Sequence, residues 1–188
     1  MHRFDGCHWR PRAVPQVPAA PRLLRPWLDE PGSLTRRLRN LAGSAFNVVV
    51  LDEHWARAWP DECYRLGSQA MRWHWVREVL LCSGRTPLVY ARSVIPGSSL
   101  TGPLRRLRQL GRQPLGTLLF GRYRVVRGPI ELARVDASSR LGMRVMPQSD
   151  LPCWARRSVF HIARRPLLVT EVFLQPLLEE LSHEHDRR

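Results

Sequence analysis

The stretch WVREVLLCSGRTPLVYARSVIP (residues 75–96) constrains the fold of this chain most strongly, because it has the pattern of a β-hairpin. Two runs rich in Val, Leu and Ile flank a short polar turn, as expected of two antiparallel strands. Each run nevertheless carries one arginine near its middle, Arg77 and Arg92. A permanent cation in an apolar strand calls for a partner, so these two positions are the first candidates for a functional site.

A turn centred on Gly84–Arg85 pairs Cys82 with Pro87 and places Arg77 opposite Arg92, on one face of the sheet. Like charges side by side cost free energy, and arginine cannot lose its proton to escape that cost. A dianionic ligand would remove the cost, because each guanidinium can donate two hydrogen bonds to a carboxylate. The alternative interpretation is a solvated face with two ordinary surface arginines.

A second unusual strand is RPLLVTEVFL (residues 165–174), which carries a single acid, Glu171, at its middle. A lone glutamate in such a run is often exposed at a sheet edge or held in a salt bridge. Together with two arginines in the same sheet, however, it would form a pocket for an anionic substrate beside a proton donor or acceptor. Both interpretations stay open at this stage.

The order of elements predicts one α+β domain on an antiparallel sheet, because the strands are joined by hairpins and the helices cluster elsewhere in the chain. We expect a flexible N-terminal arm over residues 1–20, the folded domain over 21–175, and a charged, frayed tail over 176–188. Residues 137–153 are polar and contain Gly and Pro, which predicts an inserted loop.

Two helical segments are indicated by local signals. Ser33 is a candidate N-cap and Gly43 a candidate stop for one helix. Leu104, Leu107 and Leu110 recur at helical spacing in a second segment.

The net charge of +14 raises the possibility of a nucleic-acid partner. All 30 basic residues are arginine, however, and they are spread along the chain instead of forming a basic helix or arm. No helix-turn-helix, zinc-finger or RNP motif is present, so we predict no nucleic-acid partner.

No metal site or cofactor is predicted. The four cysteines form no C-x-x-C pair. His183 and His185 are better explained as solvated side chains of the tail than as metal ligands. No apolar run reaches the roughly 18 to 20 residues of a membrane helix, and no secretory leader is recognisable, so we expect a cytoplasmic protein.

Six segments, taken in order, resemble the chorismate pyruvate-lyase family: WVREVLLC, ARSVIPGSSLTGP, LRQLGRQPLGTLLF, IELARVD, WARRSVFHI and RPLLVTEVFL. The resemblance covers about residues 73–136 and 154–174, with a weaker match at GSLTRRL. It implies a six-stranded antiparallel sheet with helices packed around an enclosed ligand site that helical flaps close.

The resemblance also implies site residues. Arg77 corresponds to the family's ligand-binding arginine, and Arg92 to a second active-site arginine with a catalytic role. Glu171 corresponds to the active-site carboxylate. Leu115 and Leu34 correspond to residues that contact the ligand through the main chain, although relatives commonly have Met at the position of Leu34.

The implied activity is conversion of chorismate to 4-hydroxybenzoate and pyruvate, the first committed step toward ubiquinone, by a monomeric enzyme that needs no cofactor. The alternative is a non-catalytic domain of the same fold that binds an aromatic acid, as in some transcription regulators. Such a sensor normally follows a helix-turn-helix domain, and the N-terminal stretch here is too short for one.

Overall fold

A computed structural model of the chain describes residues 7–12, 20–119, 124–145 and 152–186. It confirms an α+β domain on one antiparallel sheet. The sheet has the order β1-β6-β7-β8-β4-β3-β2, and β5 also pairs with β7. Its strands are β1 (Arg10–Pro11), β2 (Phe46–Arg57), β3 (Trp73–Ser83), β4 (Thr86–Pro96), β5 (Val125–Arg127), β6 (Glu131–Val135), β7 (Cys153–Ile162) and β8 (Arg165–Phe173).

The strand count therefore corrects the expectation of six, because the described residues already form eight strands. The difference lies with short elements, since β1 has two residues and β5 has three. Segments of that length are too short to show the alternation of apolar and polar residues that identifies a strand in a sequence.

Helices cover both faces of the sheet. In chain order they are α1 (Arg25–Leu28), α2 (Leu34–Ala42), α3 (Pro60–Leu66), α4 (Leu115–Leu119), α5 (Arg140–Val145) and α6 (Gln175–Asp186), with 3-10 turns at Gly43–Ala45, Gly97–Ser99 and Gly102–Gln109. Among these described helices, none combines the length and the apolar character that crossing a bilayer requires.

Local signals set the helix ends as predicted. The Ser33 side chain accepts a hydrogen bond of 3.3 Å from the backbone N–H of Arg36, and so caps α2. Gly43 ends α2 at a φ of 55°, a left-handed value that glycine adopts without a steric cost. Leu104 and Leu107 lie in a helix as predicted, but it is a 3-10 helix, whose repeat of three residues per turn matches their spacing, and both side chains are buried.

The sheet has two differently covered faces. On the front face, which carries Val79 and Val169, the apolar residues pack against α1, α2, α4 and α6. On the back face, which carries Val76 and Val94, they pack against α3 and α5. Because neighbouring residues of a strand project to opposite faces, the register decides which face each charged side chain joins.

The β3–β4 hairpin corrects the predicted register. The turn pairs Ser83 with Thr86 and Cys82 with Pro87 as expected, but the next pair is Leu81 with Val89. Leu88 is therefore an extra residue, a β-bulge, and every later pairing moves by one position. Arg77 lies opposite Ser93, not opposite Arg92.

Three expectations about the chain's less regular parts also need correction. Arg10 and Pro11, within the expected flexible arm, pair with β6. The expected loop at 137–153 contains α5, and its residues 146–151 lie outside the described part. The expected frayed tail forms α6, in which Leu177 and Leu181 are buried against the core.

Candidate functional site

A cavity lies on the front face of the sheet, between α2, α4 and the central strands. The cavity has a volume of about 40 Å³. Its wall combines apolar side chains with four charged ones. The charged lining residues are Arg77, Arg127, Arg156 and Glu171.

Arg77 reaches the cavity from the middle of β3 and is almost completely buried. Its Nε donates to Glu53 Oε1 at 2.6 Å, and its Nη2 donates to the carbonyl oxygens of Gly111 (2.7 Å) and Gln113 (3.1 Å). Burial lowers the pKa of Arg77, and Glu53 opposes that shift. The bonds fix the plane of the guanidinium in the cavity wall.

Glu171 lies two strands away from Arg77, on β8, opposite Ala91 on one side and Arg156 on the other. Arg156 Nε donates to Glu171 Oε2 at 2.6 Å. The same guanidinium donates through Nη1 to the carbonyls of Trp27 (2.8 Å) and Glu30 (2.9 Å). Arg156 therefore holds the Glu171 carboxylate and ties the segment between α1 and α2 to the sheet.

Arg127 forms the far wall of the cavity, on β5. Its Nε donates to Ser158 Oγ at 3.1 Å, and its Nη1 donates to the carbonyls of Glu30 (2.9 Å) and Pro31 (3.1 Å). Burial and, to a smaller extent, the neighbouring charge of Arg156 lower the pKa of Arg127 to about 10.

Leu34 and Leu115, the first residues of α2 and α4, both line the cavity. Gly116 follows Leu115, and a Cβ built on it would lie 2.6 Å from Thr35 Oγ1. The two helix starts therefore approach each other more closely than a side chain at residue 116 would allow.

Arg92 does not reach this cavity, which corrects its predicted place beside Arg77. It projects from the back face, where Nε and Nη2 donate to Glu62 (2.7 and 3.1 Å) and Nη1 donates to Glu78 Oε1 at 2.6 Å. Its guanidinium also stacks on Trp59, 4.0 Å from the ring centre. Two buried carboxylates and an aromatic ring therefore satisfy Arg92 without a ligand.

Two charged lining residues, Arg127 and Arg156, were not predicted from the sequence. Arg156 could have been identified, because WARRSVFHI is an apolar strand with two adjacent arginines. Successive side chains of a strand point to opposite faces, so one of these arginines lies on each face of the sheet. Both Arg156 and Arg157 are buried. Arg127 belongs to a strand of three residues, which gives no comparable signal.

Fold and site together define a class: an antiparallel α+β domain with a cationic, sheet-lined cavity suited to a small anionic ligand. The family model described as "Chorismate lyase" matches residues 7–181. The chain is 42% identical over 173 residues to a probable chorismate pyruvate-lyase of Aromatoleum aromaticum (88% of this chain, 91% of the relative). It is 45% identical over 153 residues to one of Methylococcus capsulatus (81% and 94%). The chain belongs to the chorismate lyase family, and the protein is thus an enzyme, a lyase acting on chorismate.

The fold has relatives outside that family. A GntR-family transcriptional regulator of Bacillus cereus superposes with a TM-score of 0.55 at 9% identity, covering 71% of this chain and 94% of the other. At this identity the likeness concerns the fold alone.

Proposed function

We propose that the front-face cavity binds chorismate and converts it to 4-hydroxybenzoate and pyruvate. The observation that carries the proposal is the charge of the cavity wall, where three arginines face a single carboxylate. Chorismate has two carboxylates, one on the ring and one on the enolpyruvyl group. Glu53 pairs with Arg77, and Glu171 pairs with Arg156. The wall still carries a surplus of positive charge, and its guanidinium groups can donate to both carboxylates of a dianion.

Arg77 is the residue we assign to the ring carboxylate. Its guanidinium is held by Glu53 and two carbonyls before any ligand arrives, so little ordering is needed on binding. Leu34 and Leu115 complete the assigned contacts through their main chains, at the starts of α2 and α4.

Glu171 is the residue we assign to proton movement at C4. In the elimination, the C4–H electrons become a ring double bond and the C3–O electrons leave with the enolpyruvate oxygen. That oxygen takes a proton, and the enol becomes pyruvate. Glu171 lies in the wall of the same cavity as Arg77, and its ion pair with Arg156 fixes its position. Aromatisation of the ring supplies the driving force.

We assign the enzyme to the cytoplasm, as a monomer whose product 4-hydroxybenzoate feeds ubiquinone synthesis.

The segment between α1 and α2 is our candidate for the flap that encloses the ligand. Arg127 and Arg156 donate hydrogen bonds to the carbonyl oxygen of Glu30 in this segment, and these bonds tie it to the sheet over the cavity.

The test is a direct assay of the protein with chorismate, measuring pyruvate and 4-hydroxybenzoate in equal amounts. We expect the wild-type protein to release both products from chorismate. Arg77→Ala is expected to raise the Kd of 4-hydroxybenzoate by about 10- to 100-fold, since it removes charge-assisted hydrogen bonds. Arg85→Ala, at the exposed tip of the same hairpin, is the matched control and should bind normally.

Two results would contradict the proposal. Binding of chorismate without release of pyruvate would indicate a sensor of the same fold instead of an enzyme. Unchanged product binding by Arg77→Ala would remove Arg77 from the site.

A further inference from the structure

The three arginines of the cavity wall differ in how their charges are balanced. Arg77 has a carboxylate partner in Glu53, at 2.6 Å. Arg156 has one in Glu171, also at 2.6 Å. Arg127 bonds only to neutral acceptors, Ser158 Oγ and two backbone carbonyls, and within the described residues no carboxylate forms an ion pair with it.

Arg127 is therefore the arginine of this cavity that no described carboxylate contacts directly, although the charges of Glu171 and Glu30 lie near enough to favour its protonated form. Burial and the nearby charge of Arg156 both penalise its charged form, and its pKa falls to about 10. At neutral pH the group is still protonated, so that penalty is present in the unliganded protein. An anion bound beside Arg127 would relieve it.

The position of Arg127 also suits the second end of a dianion. From β3 the sheet runs through β4, β8 and β7 to β5, four strand spacings or about 19 Å between backbones. Arg77 and Arg127 both reach inward across this span and line one cavity, with Glu171 on a strand between them. Across the sheet, the charged lining residues therefore follow the order Arg77, Glu171, Arg156 and Arg127, with a guanidinium at each end.

We infer that Arg127 binds the carboxylate of the enolpyruvyl group, the part of the substrate that leaves as pyruvate. The inference rests on the proposed function, and it makes Arg127 the second substrate-binding arginine in place of Arg92. Arg156 is a positioning residue in this scheme, because its bonds to Glu171 and to backbone carbonyls already engage its guanidinium.

The assignment separates substrate from product. Chorismate carries both carboxylates, whereas 4-hydroxybenzoate keeps only the ring carboxylate. Arg127→Ala is therefore expected to lower kcat/KM for chorismate by about 10- to 100-fold, as for loss of hydrogen bonds to a charged group. The Kd of 4-hydroxybenzoate should change by less than about threefold.

A purely structural role for Arg127 gives a different result. If Arg127 served only to hold Glu30 and Pro31, its loss would loosen the segment over the cavity and weaken both ligands equally. Equal losses for chorismate and 4-hydroxybenzoate would overturn the inference. Arg124→Ala, which removes an exposed arginine three residues earlier, is the matched control and should leave both values unchanged.

Two further variants keep the test decisive if Arg127→Ala does not fold. Arg127→Lys keeps the charge, and Arg127→Gln keeps a hydrogen-bond donor without the charge. We expect the lysine variant to retain more kcat/KM for chorismate than the glutamine variant, with similar binding of 4-hydroxybenzoate. Equal kcat/KM in both variants would contradict a role in binding a carboxylate.

The wild-type assay separates failure of this inference from failure of the proposed function. If the wild-type protein does not release pyruvate from chorismate, the proposed function itself is wrong. If the wild type is active and the Arg127 variants have the same kcat/KM, only the assignment of Arg127 is wrong.

Discussion

At the scale of single residues, one hairpin contains two buried arginines that project from opposite faces of the sheet. Arg77 projects into the cavity, whereas Arg92 is enclosed by Glu62 and Glu78 on the back face. Burial raises the pKa of Glu62, and Arg92 opposes that shift. A second cation, Arg144, completes the cluster by donating to Glu78 Oε2 at 2.8 Å. The back-face cluster is a structural ion-pair network.

Replacing Arg92 should therefore affect stability before it affects chemistry. Arg92→Met leaves the buried carboxylate of Glu62 without its arginine partner and removes one of the two arginines that bind Glu78. We expect the free energy of unfolding to fall by about 3–5 kcal/mol near neutral pH. Without Arg92 the pKa of Glu62 rises further. The native state then binds that proton more tightly than the unfolded chain, so stability is regained as pH falls. Urea unfolding at about pH 8 and about pH 5 measures this, and the deficit relative to wild type should be smaller at the lower pH.

Arg134→Met is the control for this prediction, because it removes an arginine from the exposed pair with Asp136 and should change stability little. The opposite pattern for Arg92→Met, wild-type stability with lost turnover of chorismate, would place Arg92 in the active site after all.

At the scale of elements, a single inserted residue decides the composition of the site. The bulge at Leu88 moves Arg92 to the back face, because a shift of one residue exchanges the two faces of a strand. The turn itself was predictable from its residues. Pro87 was also compatible with a bulge, since proline within a sheet favours edges and bulges. Whether a bulge forms, however, also depends on how the hairpin packs against other strands, and the sequence of the hairpin does not specify that packing.

The contact between α2 and α4 is a second element-scale feature that can be tested. Gly116→Ala would place a methyl group 2.6 Å from Thr35 Oγ1, so the helix starts must separate. We expect a loss of about 1–3 kcal/mol in the free energy of unfolding, measured by urea denaturation. The binding of 4-hydroxybenzoate should weaken as well, because Leu115 and Gly116 both line the cavity.

Two variants control this experiment. Thr117→Ala changes the exposed neighbour and should have little effect. Thr35→Ala combined with Gly116→Ala removes the nearest atom, so part of the lost stability should return. A Gly116→Ala protein as stable as the wild type would show that the close approach does not matter.

At the scale of the whole molecule, the sequence was sufficient for the class of fold but not for the full site. The α+β sheet, the cap at Ser33 and the cavity positions of Arg77 and Glu171 follow from local patterns and from resemblance. The places of Arg127 and Arg156 in the cavity wall did not follow, because they depend on the pairing of β7 with β5 and with β8. The net charge of +14 did not indicate the cavity, since the arginines that line it are buried or half-buried and do not form a surface patch.

The most direct test of the account is a crystal structure of the protein with 4-hydroxybenzoate. The account predicts that the product occupies the front-face cavity, with its carboxylate within hydrogen-bond distance of Arg77 and its ring between α2 and α4. The end of the cavity next to Arg127 should then be left to solvent. A product molecule bound on the back face beside Arg92, or on the outer surface of the helices, would contradict the account.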